Sequence, residues 1–299
     1  MLNIVLDCDP GIDDALAVLM AAAAPELNLL GVSCVAGNRP VDATTANTRR
    51  LLDLAGREAT PVYAGCGRPL ASPEARCNLV HGEDGLGGVA LPPSRGPESE
   101  HAVDWLARVL LDEPAGSVTL IAIGPLTNLA MAEIRRPGLL QRARELLVMG
   151  GAAFRRGNVT PAAEFNFWAD ATAASVVLNA GAKLTLFGLD VTEQAVMGPE
   201  WIASFGRLGT RTGDAVRHML AAYAFKDPLL HDACPVAYAL QPALFSGLAL
   251  KVDVDRTPGP EEGRMRVLPD APLPLSTVIT GVDREALLRL VHEEIARLP

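Results

Sequence analysis

Continuous apolar runs alternate along the chain with segments whose apolar residues recur at helical spacing. Several runs end in a turn of small residues that leads into the next helical segment. Strands that are apolar at every position are typical of a parallel sheet covered by helices. The pattern therefore predicts an α/β fold, with one domain over residues 1–299, a mainly parallel central sheet and helices on both faces. Strands are predicted at residues 2–9, 27–35, 61–64, 117–123, 145–149, 183–189 and 276–280.

The remaining segments predict helices, one hairpin and one long loop. Asp170 and Thr127 are placed as helix N-caps because both residue types accept hydrogen bonds from free backbone N–H groups. The Gly- and Pro-rich loop at residues 72–97 is long for a compact domain, and such loops are usually functional or disordered. Helices are predicted at residues 16–24, 41–55, 101–111, 170–179, 199–240 with a break at 226–228, and 283–297, and a hairpin at 249–255 and 264–268.

Four carboxylates follow the first apolar run, residues 2–6, within eight residues: Asp7, Asp9, Asp13 and Asp14. Pro10 and Gly11 indicate a turn, and the last two acids fall where a helix N-terminus favours negative charge. One interpretation is a solvated acidic turn. The other is a cation site, since close carboxylates repel one another and ligand crevices of open α/β sheets lie at the carboxyl ends of strands. The position favours a hard divalent cation held by oxygen.

Composition excludes several other classes of function. The chain has 299 residues, 49% of them hydrophobic, with a net charge of −9 and no basic block, which argues against a nucleic-acid partner. No apolar run reaches the roughly 18 residues of a membrane span, so no membrane association is expected. A basic n-region is absent from the N-terminus, so we expect no signal peptide and a cytoplasmic location. An odd number of cysteines without a C-x-x-C pair predicts buried free thiols; they are Cys8, Cys34, Cys66, Cys77 and Cys234.

The acidic segment Asp7-Cys8-Asp9-Pro10-Gly11-Ile12-Asp13-Asp14-Ala15 resembles the N-terminal signature of the nucleoside hydrolases, in particular the inosine-uridine preferring group. This resemblance implies the Rossmann-like nucleoside hydrolase fold, with the site at the carboxyl ends of the strands. It also implies a Ca²⁺-dependent N-ribosidase that acts on a nucleoside substrate, commonly as a homodimer or homotetramer. Further motifs in the family's order are Gly37-Asn38, His81-Gly82-Glu83, Gly124-Pro125-Leu126-Thr127-Asn128, Met149-Gly150-Gly151, Gly157-Asn158, Glu164-Phe165-Asn166 and His231-Asp232.

The resemblance assigns roles residue by residue. It implies that Ca²⁺ is bound by the carboxylates of Asp9, Asp14 and Asp232 and by the backbone carbonyl of Ile123, with Asp7 supporting the metal site. It implies that the ribose hydroxyls are held by Asp13, Asn38, Asn158, Glu164 and Asn166, whose oxygens and amides suit a polyol. The rest of the expected substrate-binding set is His81, Met149 and Phe165.

These parts suggest a mechanism. Cleavage of an N-glycosidic bond gives oxocarbenium character at the sugar, which nearby carboxylates stabilise. Asp9 is the expected general base toward a water that the cation orients, and His231 is the candidate acid for the leaving base. Alternatively, His231 packs against the nucleobase or orients Asp232. An aromatic residue such as Trp168 could stack on the base but is more commonly a core residue, so no stacking role is assigned to it.

The nucleobase half departs from the family pattern. Tyrosine or arginine often precedes the His-Asp pair in the family, and Tyr223, Phe225 and Lys226 are the available substitutes here. The sequence therefore leaves the choice between purine and pyrimidine open. Two rival functions are a Ca²⁺-dependent nucleoside-binding protein without turnover and a Mg²⁺-dependent phosphatase of the haloacid dehalogenase type. The phosphatase would use Asp7 as its nucleophile, but Pro10 and the following glycine match that loop poorly.

Overall fold

The computed structural model describes residues 1–268 and 276–299, and strands within these ranges form one large sheet and one small one. The large sheet has eight strands, and the small sheet has two. The strands are β1 (Leu2–Cys8), β2 (Leu27–Cys34), β3 (Val62–Ala64), β4 (Val118–Ala122), β5 (Glu145–Met149), β6 (Leu184–Phe187), β7 (Phe245–Leu250), β8 (Val252–Val254), β9 (Met265–Val267) and β10 (Ser276–Val282).

The large sheet has the order β3-β2-β1-β4-β5-β6-β10-β7. All neighbours pair in parallel except β7, which runs antiparallel to β10 at one edge. Strand β1 lies inside the sheet and is apolar on both faces. Ile4 and Leu6 pack into one hydrophobic core, whereas the intervening Val5 packs into the other. This arrangement follows from the twofold alternation of side chains along a strand.

Helices cover both faces of this sheet, which confirms the predicted fold class. Helices α1, α2, α9, α10 and α11 contribute to one core, and α3, α4 and α6 contribute to the other. The helices are α1 (Ile12–Ala23), α2 (Val41–Leu54), α3 (Ala102–Asp112), α4 (Thr127–Arg135), α5 (Phe165–Ala169), α6 (Ala171–Leu178), α7 (Leu189–Thr192), α8 (Pro199–Phe205), α9 (Arg211–Tyr223), α10 (Ala233–Leu240) and α11 (Arg284–Ile295), with 3₁₀ turns at Leu140–Arg142 and Pro242–Leu244.

The cap predictions have opposite outcomes at two helices. Asp170 caps α6 as predicted, because its carboxylate accepts the backbone N–H of Ala173 at 2.9 Å. Thr127 was predicted to cap α4, which is wrong: Leu126 holds the N-cap position, and Thr127 is the first helical residue. The Thr127 hydroxyl instead donates to the carboxylate of Asp170 at 2.8 Å. A tertiary partner thus replaces the local cap.

The C-terminal strands differ from the predicted hairpin. β8 and β9 do form an antiparallel pair, but it is shorter than the predicted segments and forms a separate small sheet. Residues 249–250 belong to β7, an edge strand that the sequence did not reveal. The apolar run continues from β7 into β8, so periodicity alone cannot separate two strands that pair with different partners. A strand was predicted at residues 183–189, but β6 ends at Phe187. Leu189, the last residue of the predicted segment, is the first residue of α7.

The structure also tests two predictions from composition, one about membrane-spanning helices and one about buried cysteines. Of the helices in the described part of the chain, none combines the length and apolar character needed to cross a membrane. All five cysteines are free thiols, and Cys8, Cys34 and Cys234 are buried as predicted. The prediction is wrong for Cys77, which is exposed, and for Cys66, which is half-buried. Both lie in the connection after the edge strand β3, where fewer layers of chain cover them.

Asp170 joins three segments, since it accepts hydrogen bonds from Leu70 N, Thr127 Oγ1 and Ala173 N. Replacing it by alanine removes a helix cap and leaves buried donors without a partner. We expect Asp170→Ala to lower the free energy of unfolding by about 2–4 kcal/mol, measured in urea. The control Asp104→Ala removes an exposed carboxylate paired with Arg135 and should cost less than about 1 kcal/mol. Equal effects for the two variants would contradict this role for Asp170.

Candidate active site

Four neighbouring strands end at one edge of the sheet and carry site residues there. Asn38 follows β2, Asp9 follows β1, Ile123 follows β4 and Met149 ends β5. Because these strands are parallel and adjacent in the sheet order, their carboxyl ends meet. They form the floor of a crevice of about 270 Å³.

Loops above the strand ends complete the crevice. They come from residues 78–81, from residues 158–166 and from the turn between α9 and α10. The lining residues are Asp13, Asn38, Asn78, Val80, His81, Ile123, Met149, Asn158, Val159, Glu164, Phe165, Asn166, Tyr223, Lys226, Asp227, His231 and Asp232. All of the predicted substrate-binding residues are in this set.

A cluster of buried carboxylates lies at the base of the crevice. Asp13, Asp14 and Asp232 each offer an oxygen atom, and these three atoms lie within 4.8 Å of one another. The carboxylate of Asp14 also accepts the backbone N–H groups of Asp9 and Gly11, at 3.1 and 3.0 Å. Asp14 thereby closes the turn between β1 and α1 that brings the acidic residues together.

Asp9 lies beside this cluster, in a space that only glycine neighbours allow. Its Oδ2 accepts the backbone N–H of Asn38 at 2.6 Å. A Cβ atom at Gly37 would lie 2.1 Å from Asp9 Oδ2, and one at Gly124 would lie 2.3 Å from Oδ1. Among the described residues, Asp9 Oδ1 has no hydrogen-bond partner, and the same is true of Asp13 Oδ1.

Burial and mutual repulsion raise the pKa values of three carboxyl groups at the site, those of Asp9, Asp14 and Asp232. Burial raises the pKa of Asp14 to about 7, and the negative charge of Asp13 adds to the effect. Burial, together with the neighbouring carboxylates, also raises the pKa values of Asp9 and Asp232 well above the usual range. A bound cation would relieve both penalties. The donors are all oxygen and two of them are unpartnered, so the residues present fit a hard divalent cation.

One wall of the crevice presents a fixed set of polar groups around Glu164. Its carboxylate accepts the backbone N–H groups of Gly151, Asn166 and Phe167. The Asn166 amide donates to the carbonyl oxygens of Ile123 at 2.9 Å and Met149 at 3.2 Å. The Ile123 carbonyl still has a second lone pair, so this contact leaves it able to bind a cation. The wall is preorganised by backbone contacts.

Two aromatic rings form the opposite wall. His81 and Tyr223 stack with their ring centroids 5.0 Å apart. His81 Nδ1 accepts the backbone N–H of Ile12 at 3.0 Å, and burial lowers the pKa of His81, so the ring is neutral near pH 7. The Tyr223 hydroxyl donates to Asp13 Oδ2 at 3.4 Å. A flat, apolar ligand group would pack well against this wall.

His231 is held through both of its ring nitrogens. Nε2 lies 3.2 Å from the carboxylate of Asp227, and Nδ1 lies 2.9 Å from the hydroxyl of Thr192. Burial by itself lowers the pKa of His231. The hydrogen bond and charge of Asp227 more than offset burial, so the net shift of the pKa is upward. The protonated ring is therefore favoured at the crevice.

Several residues considered from the sequence lie outside the crevice lining. Asp9 and Asp14 are completely or almost completely buried beneath it. Asp7 lies deeper still: it accepts hydrogen bonds from Ser33 and Asn128, and burial raises its pKa to about 7. The contacts with Ser33 and Asn128 both occupy Oδ1 of Asp7 and fit a supporting role beneath the site, which disfavours Asp7 as the nucleophile of a phosphatase.

Some of the aromatic residues considered for the nucleobase pocket line the crevice, and others do not. Phe165 and Tyr223 line the crevice, whereas Phe225 projects into solvent and is 94% exposed. Trp168 is not in the lining and packs under the guanidinium of Arg76, 4.7 Å from the ring centroid. Of the proposed substitutes for the family's base-covering residues, Tyr223 and Lys226 are therefore in place.

Three polar residues at the site were not predicted from the sequence. Asn78 lies three positions before His81 in the long loop, and Asp227 lies in the break between two helices. Thr192 ends the short helix α7 and reaches the site only through the ring of His231. The spacing of residues shows no signal for them, because Asn78 and Asp227 lie in irregular segments and Thr192 lies in a helix of only four residues.

Comparison with known proteins agrees with this geometry. Residues 4–289 match the family profile "Inosine-uridine preferring nucleoside hydrolase". The pyrimidine-specific ribonucleoside hydrolase RihB of Escherichia coli is 38% identical over 271 residues, covering 88% of this chain and 86% of the relative.

Solved structures show the same likeness. A purine-preferring ribonucleoside hydrolase from Gardnerella vaginalis superposes with a TM-score of 0.93 at 30% identity and covers 98% of each chain. A plant nucleoside hydrolase superposes with a TM-score of 0.92 at 31% identity and covers 99% of each chain. The chain therefore belongs to the inosine-uridine preferring nucleoside hydrolase family and is a ribonucleoside hydrolase.

Proposed function

We propose that this enzyme hydrolyses the N-glycosidic bond of ribonucleosides in a Ca²⁺-dependent reaction that releases ribose and a free base. The observation that carries the proposal is the crevice itself. Buried, unpartnered carboxylate oxygens form its floor, and amide and carboxylate groups suited to a ribose line its wall. From family resemblance alone, we further propose a cytoplasmic homodimer or homotetramer.

The cation would be held by Asp9, Asp14, Asp232 and the carbonyl of Ile123, with Asp13 facing both the cation and the sugar. Calcium accepts six to eight oxygen ligands, so ribose hydroxyls or waters can complete the set. When bound, Ca²⁺ would supply Lewis-acid polarisation of the attacking water. The raised pKa values of the carboxyl groups support this choice, since only a cation permits all of them to be ionised together.

The chain's own residues perform the remaining steps. Asn158, Glu164 and Asn166 would hold the ribose in one orientation, because backbone contacts already fix this wall. Asp9 would accept a proton from the water that attacks the anomeric carbon, through its unpartnered Oδ1. As positive charge develops on the sugar, the carboxylates around it would stabilise that charge.

His231 would donate a proton to the departing nucleobase, and for this step one ring nitrogen would exchange its contact with Thr192 or Asp227 for a contact with the base. Its position in the crevice lining and the support from Asp227 favour the protonated ring that an acid requires. The neutral rings of His81 and Tyr223 would pack against the base and exclude water from it. The named relatives differ in preference, one being pyrimidine-specific and another purine-preferring, so we leave the preferred base to measurement.

Ribose release from inosine, uridine, cytidine, adenosine and guanosine tests the proposed reaction. The wild type with Ca²⁺ should hydrolyse at least one of them, and the ranking will give the base preference. Asp9→Asn keeps the shape of the side chain but removes the base, and we expect kcat to fall by about 10²-fold to 10⁴-fold. Asp104→Asn, an exposed control, should match the wild type. Absence of turnover on every nucleoside by the wild type would contradict the proposal.

Calcium should stabilise the wild type against heat, because it binds only the folded arrangement of carboxylates. At a concentration near 100 times Kd the gain is about 2.7 kcal/mol, seen as a higher Tm than with chelator. Asp232→Asn should lose this gain. In chelator the same variant should be at least as stable as the wild type, since it removes one of several mutually repelling charges. A wild-type Tm that Ca²⁺ does not change would argue against the metal site.

The role of His231 can be tested by comparing how its replacement affects kcat on substrates with different leaving groups. We expect His231→Ala to lower kcat on inosine or uridine by about 10²-fold to 10⁴-fold, because the base then departs unprotonated. On 4-nitrophenyl riboside, whose leaving group is stable as an anion, the loss should be less than about tenfold. His218→Ala, on the exposed side of α9, is the matched control. Equal losses on both kinds of substrate would show that His231 only packs or orients.

A further inference from the structure

A directional chain of hydrogen bonds runs from the long loop to the metal-binding carboxylates. The backbone N–H of Val80 donates to Asn78 Oδ1 at 3.0 Å, and Asn78 Nδ2 donates to Asn38 Oδ1 at 2.7 Å. Asn38 Nδ2 then donates to Asp14 Oδ2 at 3.0 Å. Each donor points toward the carboxylate, so neither amide can rotate by 180° without losing its contacts.

The contacts of Asn38 determine what it can offer to a ligand. A carboxamide has two N–H donors and two acceptor sites on its oxygen. Asp14 uses one donor of Asn38, and Asn78 uses one acceptor site. One donor and one acceptor site remain, and Asn38 lines the crevice where a ribose would bind. Asn78 therefore fixes the plane in which the remaining groups of Asn38 meet a sugar hydroxyl.

The loop segment that carries Asn78 is held by contacts of its neighbouring residues. The ammonium group of Lys226, three residues after the end of α9, donates hydrogen bonds to the carbonyl oxygens of Leu79 and Val80 at 3.0 and 3.1 Å. The next residue of the loop, His81, accepts the N–H of Ile12. The loop segment 78–81 is thus attached to the base side and to the metal side.

We propose that Asn78 is a positioning residue for ribose, acting through the amide of Asn38; this rests on the proposed ribonucleoside hydrolysis. The substrate feature it serves is the hydroxyl edge of the sugar, not the base. A residue that acts in this way contributes to affinity for free ribose as much as to affinity for the nucleoside.

The test compares Asn78→Leu with the matched control Asn28→Leu. Asn28 makes the same kind of amide–amide hydrogen bond, to Asn3 Oδ1 at 2.9 Å, at the opposite end of β1. We expect Asn78→Leu to lower kcat/KM on the best nucleoside by about tenfold to a hundredfold. The Ki of D-ribose as a competitive inhibitor should rise by a similar factor. The control should stay within about twofold of the wild type on both measures.

A double-mutant cycle separates positioning from a general structural effect. In an Asn38→Ala background, Asn78→Leu should have no further effect on kcat/KM or on the Ki of ribose, because the residue it acts through is gone. Additive losses in the cycle would overturn the proposal. An unchanged Ki of ribose in the single variant would do the same.

The outcomes also distinguish this inference from the proposed function. If the wild type hydrolyses a nucleoside but Asn78→Leu behaves like Asn28→Leu, the inference fails and the hydrolase proposal stands. If the wild type hydrolyses no nucleoside, the proposed function fails and the inference fails with it. Loss of activity and ribose affinity in Asn78→Leu alone, with a denaturation midpoint like that of the control, supports the inference.

Discussion

The structure depends on the enforced proximity of carboxylates that repel one another. Asp9 follows the last residue of β1, and Asp13 and Asp14 lie in the first turn of α1. Asp232, which directly precedes α10, lies close to Asp13 and Asp14 in space although it is far from them in the sequence. All are buried, so water cannot screen their charges, and the pKa values of Asp9, Asp14 and Asp232 rise. Such a cluster is stable only with protons or a cation bound, and the function of the site follows from that requirement.

The fold provides the rigidity that keeps these charges together. β1 has sheet neighbours on both sides and hydrophobic cores on both faces, so the segment that carries the acids cannot move away. Gly37 and Gly124 allow the neighbouring strand ends to approach Asp9 closely. The Asp14 carboxylate accepts backbone N–H groups of the same turn, so one residue both shapes the loop and contributes to the charge cluster.

The two halves of the crevice are built differently, and this explains their different predictability. The sugar half comes from strand ends and from short turns with distinctive residues, such as Glu164 and Asn166. The base half comes from the loop around His81 and from the break before His231, where helical periodicity stops. In irregular segments the neighbours of a side chain depend on the path of the backbone, which local residue preferences do not specify.

The sequence by itself determined the α/β class, the parallel strands, the position of the site at their carboxyl ends and the family that its motifs resemble. Those features depend on local periodicity and on contiguous motifs, which survive without knowledge of long-range contacts. Only the tertiary structure decided that Thr127 donates to Asp170 instead of capping α4, that β7 pairs separately at the sheet edge, and that Asn78 reaches Asn38. Each of these contacts joins residues far apart in the chain, and which of several chemically equivalent partners a polar group or strand finds is fixed by packing.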